Sequence, residues 1–288
     1  MEKVKLVECP RDAMQGIKTF IPTKDKLQYL QMLVQCGFDV LDIGSFVSPK
    51  AIPQMKDTGE VLNQLNLEGV STKLLTIVAN VRGAKQAASF FQVDFIGFPF
   101  SISETFQMRN THKTIAESSE VLKEVLTIAK DHNKEVVVYL SMGFGNPYGE
   151  PWNAKIVSRW VAKLVQMGVK IISLSDTVGT STPATITDLF STLIPKYPNI
   201  EIGAHLHTTK ATWFEKIDAA YNAGCRRFDG AIQGFGGCPM AGSELVGNMP
   251  TEKMLSHFTS KKTKINVDML RFEATYNQAS RLFSKYGH

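Results

Sequence analysis

Eight short runs of β-branched and apolar residues recur along the 288-residue chain, and stretches of helical periodicity lie between them. The runs fall at 4–7, 40–43, 73–78, 95–98, 136–141, 171–175, 200–205 and 227–231. The amphipathic stretches fall at 24–35, 81–91, 115–132, 153–167, 183–197 and 212–223, with a weaker one at 54–65. Strands that alternate with helices run parallel, because each crossover helix carries the chain back to the edge where the previous strand began. Eight units of about 30 residues each predict closure into a (β/α)8 TIM barrel, an α/β fold whose ordinary size is about 250 residues. Residues 1–288 are expected to form one catalytic barrel domain, with 266–288 as a C-terminal helical extension packed on the barrel or on a second subunit. The alternative, an open doubly wound sheet, usually carries GxGxxG after its first strand, whereas here Cys9, Pro10, Arg11 and Asp12 follow.

Composition narrows the class. With 43% hydrophobic and 20% charged residues the chain reads as a soluble globular protein. Its opening residues include Glu2, Lys3, Lys5 and Glu8 and lack the apolar core of a secretory signal, and its apolar runs are too short to span a bilayer. A cytoplasmic protein with no membrane partner is expected. The four cysteines, Cys9, Cys36, Cys225 and Cys238, have no CxxC spacing, so reduced thiols are expected. The net charge is +5, and its clearest cluster, Lys261, Lys262 and Lys264, has no interleaved aromatics. That pattern is a solvated face, and nucleic acid is not expected as a partner.

In a parallel barrel the active site forms where the strands end, so polar residues just beyond each run are candidates. Arg11 and Asp12 follow the first run, Asp42 lies in the second, Asp176 follows the sixth, and the seventh ends in His205 and His207. The eighth opens into a glycine-rich loop that carries Cys238, with Asn248 ten residues beyond. Residues two apart on a strand point the same way, so both imidazoles are able to reach one metal ion. The plainer reading is two separately hydrogen-bonded histidines, and Asp12 equally suits capping a helix or pairing with Arg11. A set of imidazole, carboxylate and amide favours Mg2+ or Mn2+ over structural zinc. Asp176 reads either as an ion-pair partner or as a group that orients a ligand. Cys238 sits among glycines, unlike a buried structural cysteine, and suits a proton-transfer role on a closing loop.

Several longer motifs carry a resemblance. They are Pro10-Arg11-Asp12-Ala13-Met14-Gln15 with Lys18, then Ser45-Phe46-Val47-Ser48-Pro49-Lys50 with Pro53-Gln54-Met55, then Asn80, and the SLSDTVGTSTP segment at 173–183. The HxH pair and GGCP followed by GNMPTE complete the series. From about Val4 to Leu255 the chain resembles the hydroxymethylglutaryl-CoA lyase family, metal-dependent barrels related to acyl-CoA-condensing synthases. The resemblance implies that Asp12, His205, His207 and Asn248 bind the cation, that Arg11 steadies enolate charge, and that Cys238 shuttles a proton. It also implies that Arg11, Gln15, Lys18 and Asn80 contact an acyl-CoA substrate, with Asp42 in the catalytic group. A homo-oligomer, such as a dimer, is expected.

The chain departs from the family pattern at Asp42, where glutamate is usual, and at Thr208 and Thr209, where Asp-Thr is common after HxH. Val137 stands where an arginine is frequent, and the loop from Cys238 to Asn248 is one residue longer. The competing readings are a synthase joining acetyl-CoA to a 2-oxo acid, a lyase for another 3-hydroxyacyl-CoA, and a non-catalytic acyl-CoA-binding barrel. A metal-dependent hydrolase is disfavoured, because such barrels place HxH after the first strand.

Overall fold

A computed structural model describes residues 3–237 and 246–287. Its strands are β1 (Lys5–Glu8), β2 (Val40–Ser45), β3 (Lys73–Ile77), β4 (Val93–Ser101), β5 (Glu135–Ser141), β6 (Ile171–Ser175), β7 (Glu201–His205), β8 (His207–Thr208), β9 (Arg227–Gly230) and β10 (Gly247–Asn248). All but the two-residue β8 and β10 form a closed parallel barrel in the order β1-β2-β3-β4-β5-β6-β7-β9. Closure comes from β1, which pairs with β2 on one side and with β9 over four consecutive residues on the other. The fold is the (β/α)8 barrel that the alternation predicts, and closure excludes the open sheet.

Each barrel strand is buried on both faces, which is why the runs read as nearly unbroken apolar sequence. In β5, Val136, Val138 and Leu140 pack outward beneath the helices, while Val137 and Tyr139 belong to a separate inner cluster with Val7, Cys9, Val40, Leu75, Ile77 and Ile171. The crossover helices begin where local chemistry lets them. Helix Ile115–Asp131 has a reciprocal capping box between Thr114 and Glu117, and helix Pro183–Lys196 starts with proline in its first turn behind a Thr182 cap. No described helix is long and apolar enough to cross a membrane.

Three described helices escape the periodicity reading: Pro10–Gln15, Glu104–Thr111 and Thr251–Ser260. The first two are only two turns or less, too short for a period to show. The C-terminal helix runs from Met269 to Tyr286 and packs on its own barrel. Phe283 meets Tyr29 edge-on at 6.1 Å and stacks on Phe235 at 4.1 Å, and the Tyr286 hydroxyl donates to Asp25 at 2.6 Å.

Glu8, the last residue of β1, is fully buried and ties both sides of the loop that follows β9. One carboxylate oxygen accepts the Ile232 amide at 2.9 Å, and the other accepts the hydroxyl of Thr251, the first residue of helix Thr251–Ser260. Burial pushes this carboxyl up to about 8 from an ordinary 4.5, against the pull of those two hydrogen bonds. A folded-state value above the unfolded one means that the native protein holds the proton longer. Its stabilising contribution is complete at low pH and is lost as pH rises through that window. Glu8→Gln keeps an acceptor for Ile232 and never ionises. Between pH ~5 and ~8, urea unfolding should therefore show wild-type stability falling relative to Glu8→Gln, by at most about 1.4 kcal/mol per pH unit. A constant difference between the two proteins across that range would refute the assignment.

Candidate active site and cation centre

The first strand ends by turning directly into a short helix. Pro10 occupies its first turn, where a missing N–H costs nothing, and Arg11 and Gln15, four residues apart, share one face. Arg11 reaches across to Asp42 on β2: Nη2 donates to Oδ2 at 2.6 Å and Nε to the same carboxylate at 3.0 and 3.2 Å. Its Nη1 donates to Asp12 Oδ1 at 3.1 Å and to Gln15 Oε1 at 2.8 Å, and Gln15 Nε2 also donates to Asp12 at 2.6 Å. A guanidinium has five N–H groups. These contacts engage four of them and leave one on Nη2.

His205 closes β7, and His207, past Leu206, opens β8. The strand is broken at Leu206, yet the two rings still converge with centroids 5.3 Å apart. One ligand atom from each of Asp12, His205 and His207 lies within 4.8 Å of the others. Both histidines use Nδ1 elsewhere. His205 Nδ1 lies 3.2 Å from Asp229 Oδ2, and His207 Nδ1 lies 3.0 Å from the Thr177 carbonyl. His207 Nε2 is buried with no hydrogen-bond partner among the described residues. A buried nitrogen lone pair left free beside a second imidazole and a carboxylate is the donor arrangement a divalent cation completes.

Asn248 reaches this point through tertiary structure. The antiparallel pairing of β10 with β8 sets Asn248 directly opposite His207. Its Nδ2 donates to Asp12 Oδ2 at 2.7 Å and to the Phe235 carbonyl at 2.8 Å, while its Oδ1 makes no hydrogen bond among the described residues. The residues present thus fit a cation held by Asp12, His205 and His207, with the Asn248 amide alongside.

Burial and neighbouring charge set the protonation states. Burial alone would raise the Asp12 carboxyl, but Arg11, both histidines and the Asn248 amide hold it below the usual carboxylate range. Asp42 is pushed up to about 6 by burial, against its contact with Arg11, so the pair is ionised at neutral pH. His207 is driven down to about 4 by burial and by the neighbouring His205, which keeps its free nitrogen unprotonated. Burial lowers His205 too, but the hydrogen bond and charge of Asp229 outweigh it and raise the ring above its ordinary value. Arg11, Asp12 and Asp42 together sum to one negative charge, which suits a dication.

The site opens into a cavity of about 620 Å³, a size that suits a small-molecule ligand. Arg11, Asp12, Gln15, Asn80, His205 and His207 all line it, but Asp42 does not, being buried behind Arg11. Asn80 also caps helix Val81–Ala88 through its Oδ1, so its structural role is real as well. Lys18 is exposed and is not among the lining residues. Cys238 lies outside the described residues. Asp176 pairs with Lys216, whose Nζ, 2.8 Å away, also donates to the carbonyls of Gly179 and His207. Two groups escaped sequence reading. Asp229 belongs to the eighth run and gave no motif, and the cationic Arg109 and Lys113 line the cavity from the helix Glu104–Thr111 and the turn after it.

The HMGL-like family profile matches residues 3–278. The chain belongs to that family. It is 34% identical over 271 residues to the hydroxymethylglutaryl-CoA lyase of Bacillus subtilis, covering 93% of this chain and 89% of that protein. It is also 34% identical over 268 residues to the mitochondrial hydroxymethylglutaryl-CoA lyase of Arabidopsis thaliana, covering 92% of this chain but only 56% of the plant protein. The structure of an Acinetobacter baumannii HMG-CoA lyase in complex with coenzyme A and 3-methylmalate superposes with a TM-score of 0.90 at 26% identity, covering 98% of this chain and 92% of that one. Within this HMGL-like chain, calorimetric titration with Mn2+ should show one site. His205→Ala and His207→Ala should each weaken binding at least ~10-fold while circular dichroism stays native. Unchanged affinity in both variants would exclude the pair as ligands.

Proposed function

We propose that this HMGL-like chain cleaves 3-hydroxy-3-methylglutaryl-CoA to acetyl-CoA and acetoacetate, using Mg2+ or Mn2+. The observation that carries the reading is the convergence of Asp12, His205 and His207 on the cavity wall beside Arg11. When bound, the cation supplies positive charge that acidifies the 3-hydroxyl and steadies its oxygen. Asp12, His205, His207 and Asn248 hold it, and oxygen and imidazole donors of this kind suit Mg2+ or Mn2+.

The residues account for the proton and electron balance. The 3-hydroxyl gives its proton to Asp12 or to an activated group beside it. The C–O bond becomes a carbonyl as the C2–C3 bond breaks, and the electron pair moves onto C2 as the enolate of acetyl-CoA. Arg11 steadies that enolate through its remaining Nη2–H, and Asp42 acts by fixing the guanidinium rather than by touching substrate. Cys238 returns a proton to C2, and its thiolate takes up a proton from solvent while the base releases the one it gained before the next turnover. Gln15 and Asn80 on the wall orient the acyl chain.

Turnover of 3-hydroxy-3-methylglutaryl-CoA, followed as acetyl-CoA release, should require added Mg2+ or Mn2+ and stop on chelation. Arg11→Gln should lower kcat at least ~10²-fold with a smaller change in KM, because the guanidinium matters most as the enolate forms. A change in KM alone would remove Arg11 from that role. Cys238→Ser should bind Mn2+ normally yet turn over at least ~10²-fold more slowly, a hydroxyl being a weaker acid than a thiol. A protein that released no acetyl-CoA but consumed it with a 2-oxo acid would be a synthase instead.

A further inference from the structure

A charged chain runs through the barrel core behind His205. Asp229 stands opposite His205 in the β7–β9 register and is fully buried. Its Oδ2 receives the Ser173 hydroxyl at 3.0 Å and lies 3.2 Å from His205 Nδ1. Its Oδ1 has no hydrogen-bond partner among the described residues, and its counter-charge is Arg227, two residues earlier on β9, with Nε 3.9 Å away. Arg227 is itself 1% exposed and is anchored below by Glu201 at 3.0 Å. It occupies space that Gly203 leaves open, since a Cβ there would stand 2.8 Å from Arg227 Cδ. Tyr139 closes the assembly by meeting the His205 ring edge-on at 5.6 Å.

A buried carboxylate is costly unless a partner compensates it, and this arrangement compensates Asp229 from one side and spends its other oxygen on His205. A carboxylate only accepts hydrogen bonds, so His205 must present Nδ1–H to it. We propose that Asp229, anchored by Arg227, is a positioning residue that fixes His205 as the Nδ1–H tautomer and so keeps Nε2 available to the cation. The proposal rests on the cation-binding reading of the site.

Replacing Asp229 by asparagine makes the relay visible. The guanidinium of Arg227 draws the amide oxygen to itself, which turns the amide N–H2 toward His205. Nδ1 must then accept, the proton moves to Nε2, and the ligand atom is blocked. Asp229→Asn should weaken Mn2+ binding by ~10- to 100-fold, measured by calorimetry on a folded variant. Adding Arg227→Met frees the amide to turn back and should recover part of the loss, whereas a merely structural Arg227 would make the double variant worse. In chelator-treated wild-type protein at alkaline pH, where the imidazole is neutral, 15N spectra of the ring, assigned against His205→Ala, should show Nδ1 protonated and Nε2 bare. Finding Nε2–H there, or wild-type affinity in Asp229→Asn, overturns the relay, and a double variant no tighter than Asp229→Asn overturns the part given to Arg227. Wild-type protein that bound no Mn2+ would instead overturn the cation reading, and the His205 tautomer would still decide the relay.

Discussion

Everything at the site depends on barrel closure between β1 and β9. Residues Lys5 to Glu8 pair in register with Arg227 to Gly230, more than two hundred positions later in the chain. That ladder sets the helix carrying Arg11 and Asp12 beside the end of β7, where His205 lies opposite Asp229. Parallel strands all end on one face, so polar residues from distant parts of the sequence arrive together at that mouth. The same closure buries Glu8, whose carboxyl group holds Ile232 and Thr251 and thus both sides of the segment containing Cys238 and Asn248.

Buried charge is the second constraint. Asp12 and Asp42 share one guanidinium, Asp229 faces Arg227, and Asp176 faces Lys216. Each carboxylate is buried, where a lone charge would be expelled or neutralised. What remains uncompensated is informative: one negative charge around Asp12 and one bare imidazole nitrogen on His207. The surrounding network spends its hydrogen bonds on orienting groups, with the Thr177 carbonyl and Asp229 each occupying an Nδ1. A cation is the component that such a remainder accommodates.

The departures from the family pattern find partial accounts in the packing. Asp42, though shorter than glutamate, still grips Arg11 through both oxygens. Val137 leaves its part of the barrel interior apolar, packed with Val7, Leu75 and Tyr139, while a buried arginine enters from β9 instead. Thr208 takes part in the β8–β10 pairing and accepts no charge role; its hydroxyl donates to the Asn248 carbonyl at 3.3 Å. The extra residue between Cys238 and Asn248 belongs to a loop of which residues 238–245 lie outside those described.

The sequence by itself determined the strand and helix alternation, and hence the parallel barrel, because short β-branched apolar runs and a helical period near 3.6 are local properties of the chain. It also determined which residues sit at strand ends, and so placed Asp12, His205 and His207 at one mouth; β6 even begins and ends where its apolar run does. Two-turn helices such as Glu104–Thr111 left too few residues for a period to register. Only the tertiary structure decided which polar groups reach the cavity and which support others. Asp42 and Asp229 lie on barrel strands as His205 does, yet one sits behind Arg11 and the other behind His205. Lys18, adjacent in sequence to the site helix, points its charge to solvent, whereas Asn248 is carried to His207 by a two-residue ladder. Depth in the barrel and pairing across long loops depend on how all eight strands pack at once, and no local pattern records that.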